Sequence, residues 1–232
     1  MGKMKVAVVG QNPEALLPLL AKHSGFFGVV NEGEMPELVM SYGGDGTLMI
    51  AEHRYPGVPK VFLKNSRVAK LAHPSKENEA ILEHVARGEY RIEEVMKLDA
   101  TVRGKTLTGL NDIVLHNENP RHGIRYTVAL DGTPVHHEII GDGIVCATPL
   151  GSTGYYRSIT DSSFETGIGL AFNNSTEQVD HMVLGENRVI EVCMARGPGI
   201  VYADNQEEGL PLAEGERVTI RRSASIARLV RV

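Results

Sequence analysis

Tyr42-Gly43-Gly44-Asp45-Gly46-Thr47-Leu48 directly follows the apolar run Leu38-Val39-Met40, which reads as a short buried strand. Three glycines within four positions let a backbone pass close to a bulky anion and turn its N–H groups toward it. One carboxylate among those glycines needs a different explanation. A negative charge in an anion-cradling loop repels the ligand, so Asp45 is expected to have a chemical task, such as taking a proton from a hydroxyl. A Gly-Asp-Gly surface turn is the competing reading of the segment by itself, and the rest of the chain must decide between them.

Working outward, the first third alternates strand and helix. Lys5 to Val9 reads as a strand and Pro13 to Ala21 as a short helix carrying Leu16, Leu17, Leu19 and Leu20, with Pro18 working against it. Val29-Val30 and Leu38 to Ser41 read as strands, Thr47 to His53 as the helix after the glycine loop, and Val58 to Leu63 as a further strand. Ser75 to Arg87 reads as a helix with Ala80, Ile81, Leu82 and Val85 toward a core. This alternation predicts a parallel sheet covered by helices.

After Gly88 the pattern changes to closely spaced strands: Tyr90 to Val102, Thr106 to His116, Ile124 to Leu130, Thr133 to Ile140 and Ile144 to Thr148, with an Asp131-Gly132 hairpin signal. Later strands are expected at Arg188 to Met194, Gly199 to Ala203, Arg217 to Arg222 and Ile226 to Val232, and Ser162 to His181 stays unassigned. The expected organisation is an α/β domain over 1–88 and a β-rich domain over 89–232, the last segment returning to the first domain. A ligand cleft is expected at the junction.

The 232 residues suffice for one large core or two modest ones. Lys and Arg total 24 against 29 Asp and Glu, a formal charge of -5, which argues against a broad nucleic-acid or acidic-membrane surface. A local pocket can still take a small anion. Cys146 and Cys193 lie in apolar, strand-like segments and read as buried free thiols of a reducing compartment. No apolar run approaches the roughly 18 residues of a membrane span. A cytoplasmic protein is expected. His116, His122, His136 and His137 match no metal-ligand spacing, so no bound metal is expected.

Two more segments carry chemistry. Thr148-Pro149-Leu150-Gly151-Ser152-Thr153-Gly154-Tyr155-Tyr156 follows a strand and is dense in hydroxyls and small residues. Such a loop either approaches a nucleotide, with Ser152 and Thr153 donating and Tyr155 bordering a flat ring, or is a plain connecting loop. Gly141-Asp142-Gly143 adds a carboxylate or a tight turn. Asn111-Asp112 has the groups to bind an amide and a ribose hydroxyl, or simply starts a turn.

The order Gly43-Gly44-Asp45-Gly46-Thr47, Asn111-Asp112, Asp142-Gly143, Thr148 to Tyr155 and Asp204-Asn205-Gln206 resembles the NAD kinase family over nearly the whole chain. The glycine loop alone is shared with lipid kinases, whereas its combination with the Thr-Pro-x-Gly-Ser-Thr loop is specific. The resemblance implies a Rossmann-like N-terminal domain plus a mostly β C-terminal domain. It implies phosphoryl transfer from ATP, or polyphosphate, with Mg²⁺ carried in as part of the co-substrate, to the 2′-hydroxyl of the adenosine ribose of NAD. Asp45 would be the base. Gly43, Gly44, Gly46 and Thr47 would hold phosphates, and Asp45, Gly46, Asn111, Asp112, His122, Asp142, Thr153, Gly154, Tyr155, Ser158 and Gln206 would line the NAD site. A homodimer or homotetramer is implied as well.

The chain departs from the family at Gly154 (usually alanine), at Leu150 and Ile140, at Arg157-Ser158-Ile159-Thr160, and at Lys64 to Leu71, where both usual glycines are missing. In that last segment Lys64, Arg67 and Lys70 either bring positive charge to ATP phosphates or form a solvated loop. Two other functions stay open: a related kinase acting on another hydroxylated small molecule or lipid, and a non-catalytic NAD(P)-binding module.

Overall fold

The computed structural model describes residues 2–31, 33–65, 77–177 and 179–232, with His136 described by its backbone alone. It divides into one unit of Met1–Val95 with Ile226–Val232 and another of Met96–Ser225.

In the first unit, β1 (Met4–Val9) leads through a 3-10 turn at Pro13–Leu16 into α1 (Leu17–Lys22). Pro18 is tolerated because it falls in the first turn of α1, where its missing N–H has no intrahelical acceptor to lose. Then follow β2 (Phe27–Val29), β3 (Leu38–Gly43), α2 (Asp45–Arg54), β4 (Lys60–Lys64) and α3 (Asn78–Ala86). The strands are parallel in the order β2-β1-β3-β4, and the returning C-terminal residues join beyond β4, with Leu229 opposite Lys60. One face of this sheet packs Val6, Met40, Val61 and Leu63 against Leu16, Leu20, Ile81, Leu82 and Val85. The other packs Val9 and Val39 against Ala51 of α2. Burial on both faces explains why these strands read as unbroken apolar runs. Strand order reverses between β1 and β3, and such a reversal leaves a crevice at the C-terminal ends of the strands.

The second unit is antiparallel. The hairpin β5 (Arg91–Val102) and β6 (Lys105–Gly109) leads to β7 (Asp112–Asn117), β8 (Ile124–Leu130), β9 (Thr133–Gly141) and β10 (Gly143–Ala147). A short α4 (Tyr155–Thr160) precedes β11 (Ile168–Asn173), β12 (Met182–Leu184), β13 (Ile190–Arg196), β14 (Gly199–Ala203), β15 (Leu210–Leu212) and β16 (Arg217–Arg231). The segment read as one strand from Thr106 to His116 is two strands, broken at Leu110-Asn111. The segments Arg217 to Arg222 and Ile226 to Val232 are one long strand.

One sheet runs β12-β11-β10-β7-β14-β15, and a second runs through β16, β13, β8 and β9. Leu115, Ile144, Cys146 and Leu170 of the first meet Tyr126, Val128, Val192 and Ile220 of the second in a shared core. On the outer face of β10, Val145 and Ala147 pack under Tyr156 of α4. That double cover fixes both ends of β10, where Asp142-Gly143 and Thr148 lie.

Candidate active site

The glycine loop stands at the strand-order reversal. Tyr42 and Gly43 end β3, Gly44 is extended (φ −103°, ψ −172°), and Asp45 occupies the first turn of α2. A β-carbon built on Gly10, just after β1, would overlap the Tyr42 carbonyl oxygen, so the turn after β1 and the loop after β3 meet backbone to backbone. The Thr47 side chain lies over Gly43, and the Thr47 N–H donates to the Gly44 carbonyl at 3.0 Å. The Asn65 N–H donates to the Gly43 carbonyl at 3.1 Å and ties the end of β4 to the loop. Gly43 to Thr47 are all half-buried. A helix N-terminus with this approach is suited to phosphate oxygens.

Behind the loop, α2 is clamped to the start of β4 by a buried ion pair between Glu52 and Lys60. Lys60 Nζ also donates to the Tyr55 carbonyl at 2.5 Å, and the Gly57 N–H donates to Glu52 Oε1 at 3.2 Å. The exposed Lys64 is held through its backbone by the Asn78 amide, with both bonds at 2.9 Å. Arg67 and Lys70 lie outside the described residues.

In the second unit, the Asn111-Asp112 turn and the Thr148 loop form one structure. The Thr148 N–H donates to the Asn111 carbonyl at 2.8 Å, and Thr148 Oγ1 donates to the Leu110 carbonyl at 2.8 Å while accepting from the Gly151 N–H at 3.1 Å. Ser152 is spent on the loop itself, its hydroxyl directed at the Pro149 and Phe164 carbonyls. Thr153 ends the 3-10 turn Gly151–Thr153, and the Gly154 N–H closes it on the Gly151 carbonyl at 2.9 Å. Ser158 donates to the Tyr155 carbonyl at 2.7 Å.

Asn111 is 7% exposed, and its side-chain oxygen is buried without a hydrogen-bond partner among the described residues. An orphaned acceptor of this kind is free to take a hydrogen bond from water or from a ligand N–H. Asp112 is 8% exposed. Burial, helped by the negative charge of Asp204, pushes its carboxyl up to about 7. Gln206 donates from Nε2 to the Thr108 carbonyl at 2.9 Å, so its amide nitrogen braces the base of the Asn111-Asp112 turn.

At the other end of β10, both Asp142 oxygens are held by amides. Asn117 Nδ2 donates to Oδ1 at 3.0 Å and Asn174 Nδ2 to Oδ2 at 2.6 Å. Asn117 also donates to the His122 carbonyl at 3.0 Å, which places exposed His122 beside Asp142. Tyr155 links the two ends: Asn173 donates to its hydroxyl at 3.0 Å, and burial, together with Asp142 and then Asp112, pushes its phenol up. Sequence reasoning singled out none of Asn117, Asn173 or Asn174. The Asn173-Asn174 doublet at a strand end was the available signal. Among the described residues no group of three or more His, Cys, Asp or Glu is placed to hold a metal ion. Both cysteines are free, Cys146 buried and Cys193 half-buried.

The chain matches the family described as the ATP-NAD kinase C-terminal domain over residues 110–232, more than half its length. It is 30% identical over 213 residues to an NAD kinase of Symbiobacterium thermophilum, covering 86% of this chain and 75% of the relative. Two solved structures share the fold. An NAD kinase from Archaeoglobus fulgidus in complex with ATP superposes with a TM-score of 0.78 at 23% identity, over 97% of this chain and 93% of its own. A yeast NADH kinase complexed with NADH gives 0.85 at 15% identity, over 100% and 84%. On the strength of the family match, the relative's identity and the motif geometry, the chain belongs to the NAD kinase family.

Proposed function

We propose that the family's reaction, transfer of the γ-phosphoryl group of ATP to the 2′-hydroxyl of the adenosine ribose of NAD, runs in this chain with Asp45 as general base. The observation that carries this reading is the single carboxylate at the head of α2, on a glycine loop set where strand order reverses. Asp45 takes the 2′-hydroxyl proton, the ribose oxygen bonds to the γ-phosphorus, and the bond to the β-phosphate oxygen breaks to release ADP. Phosphoryl transfer asks mainly for positioning and charge neutralisation. Gly43, Gly44, Gly46 and Thr47 supply the phosphate cradle, Arg67, outside the described residues, is assigned to the ATP phosphates from the sequence alone, and Mg²⁺ enters with ATP.

The reading assigns NAD contacts to Asp45 and Gly46 in the first unit and to Asn111, Asp112, His122, Asp142, Thr153, Gly154, Tyr155, Ser158 and Gln206 in the second. The orphaned Asn111 oxygen supports a contact to a ligand N–H, and a protonated Asp112 is able to donate to a ribose oxygen. Free cysteines support a reducing, cytoplasmic setting. No helix among the described residues is long and apolar enough to cross a membrane. The reading includes a homodimer or homotetramer, in keeping with β9 as the last strand of its sheet, an edge that folds tend to cover.

The test is conversion of NAD to NADP by ATP and Mg²⁺, followed by chromatography, with Asp45→Asn beside the wild type. The variant should lose roughly 10²–10⁴ in turnover, the usual share of a general base, with a much smaller change in NAD affinity. Near-normal turnover would remove Asp45 from the mechanism. ATP consumption on another acceptor only would move the substrate assignment.

A further inference from the structure

Three consecutive N–H groups of the Asn111-Asp112 turn end on one carboxylate 92 to 94 residues downstream. Leu110 donates to Asp204 Oδ2 at 2.7 Å, and Asn111 and Asp112 donate to Oδ1 at 2.7 and 3.1 Å. The Asp204 N–H returns a bond to the Asp112 carbonyl at 3.0 Å, and Asp204 itself holds a left-handed backbone (φ 50°). Aspartate is among the few non-glycine residues that adopt this conformation readily, as Asp131 and Asp161 do here too. Without the carboxylate, the three donors would lack their acceptor at the break between β6 and β7, and the Asn111-Asp112 turn would be held only from its carbonyl side, by Thr148 on the Leu110 and Asn111 carbonyls.

We infer that Asp204 is a positioning residue for the nucleotide acceptor: it touches no substrate, but orients Asn111 and Asp112 by binding their backbone. The inference rests on the reading that these two residues hold NAD. Its electrostatic companion is the pairing of Asp204 with Asp112. The groups facing them are Lys97 from β5, which favours the charged form of Asp204, Cys146 from β10 and Tyr155 from α4. Burial pushes the Asp204 carboxyl up, while its three N–H donors and Lys97 pull it down.

The experiment is steady-state kinetics of the full chain carrying Asp204→Asn, an isostere that presents one oxygen in place of two. The KM for NAD should rise about tenfold or more while kcat and the KM for ATP change by less than about threefold, the pattern of lost acceptor binding. The pH midpoint of the NAD KM, set by Asp112, should move down, because a neighbouring negative charge has been removed. A folded Asp204→Asn with unchanged NAD KM overturns the inference, whatever its midpoint does.

Asn111→Ala, run alongside, separates the two levels. If it leaves the NAD KM unchanged, the underlying reading of Asn111 fails. If it raises the KM and Asp204→Asn does not, only the positioning role fails. A carboxyl NMR titration of the wild type is independent of how the variant folds. Saturating NAD should move the Asp112 resonance more than that of Asp204, and an equal or larger Asp204 shift would make it a contact residue and overturn the proposal.

Discussion

Gly151 sits against the backbone carbonyl of Asn111 so closely that a β-carbon there would overlap the oxygen. Two motifs 40 positions apart are therefore parts of one structure. A side chain at 151 must push either the Thr148 loop or the Asn111 turn away. Gly151→Ala should cost about 1–3 kcal/mol of stability, the usual penalty of overpacking, and raise the NAD KM about tenfold or more. Gly154→Ala meets the Gly151 carbonyl at 3.2 Å, a contact relieved by a small shift, so its effect should be the smaller one. Denaturant titration and NAD kinetics on both variants check the order. A Gly151→Ala enzyme as stable and as tight for NAD as the Gly154→Ala one would refute it.

The raised Asp112 carboxyl makes stability depend on pH in a stated direction. Folded, it titrates near 7; unfolded, it is expected near the ordinary 3.8. Below about pH 4 it is protonated in both states and contributes no difference. Between about pH 4 and 7 the unfolded chain gives up its proton first, so the folded state loses stability as pH rises, by up to about 4 kcal/mol above pH 7. Asp112→Asn removes this slope. Urea unfolding without nucleotide should show the variant close to wild type at pH 4 and more stable at pH 8. Equal differences at the two pH values would show that Asp112 is not the titrating group.

Much of this was legible in the chain. The βα alternation with a glycine loop after Leu38-Val39-Met40 led to the parallel unit, because strands covered on both faces leave unbroken apolar runs between turn signals. What stayed hidden depended on partners distant in sequence. Thr106 to His116 read as one strand although Asn111-Asp112 offered a turn signal, because the carboxylate that holds the break, Asp204, is distant in sequence. Ser223-Ala224-Ser225 looked like a gap, yet the Ser223 hydroxyl bonds the Ser225 N–H at 3.1 Å and the strand continues through. Ile168 to Phe172 resisted assignment because every residue is buried, which erases the alternation that marks a strand.

The same limit hid the clamp behind Asp45. Nothing in the sequence pattern singled out Glu52 on α2 or Lys60 on β4, yet both side chains are almost wholly buried and paired. Their mutual attraction roughly offsets the cost of taking two charges from water, so the pair by itself adds little net stability. Removing one partner is different, because it strands the other charge in the interior. Lys60→Met should therefore cost about 3–5 kcal/mol, while Glu52→Leu combined with Lys60→Met should recover most of that loss. Because the clamp fixes the helix that carries Asp45, Lys60→Met should also lower kcat, and the double variant should restore stability more fully than turnover, as the Gly57 N–H and Tyr55 carbonyl still lose their partners. Urea unfolding and initial rates on the two variants decide it. A single variant as stable as wild type would mean that the pair does not anchor α2.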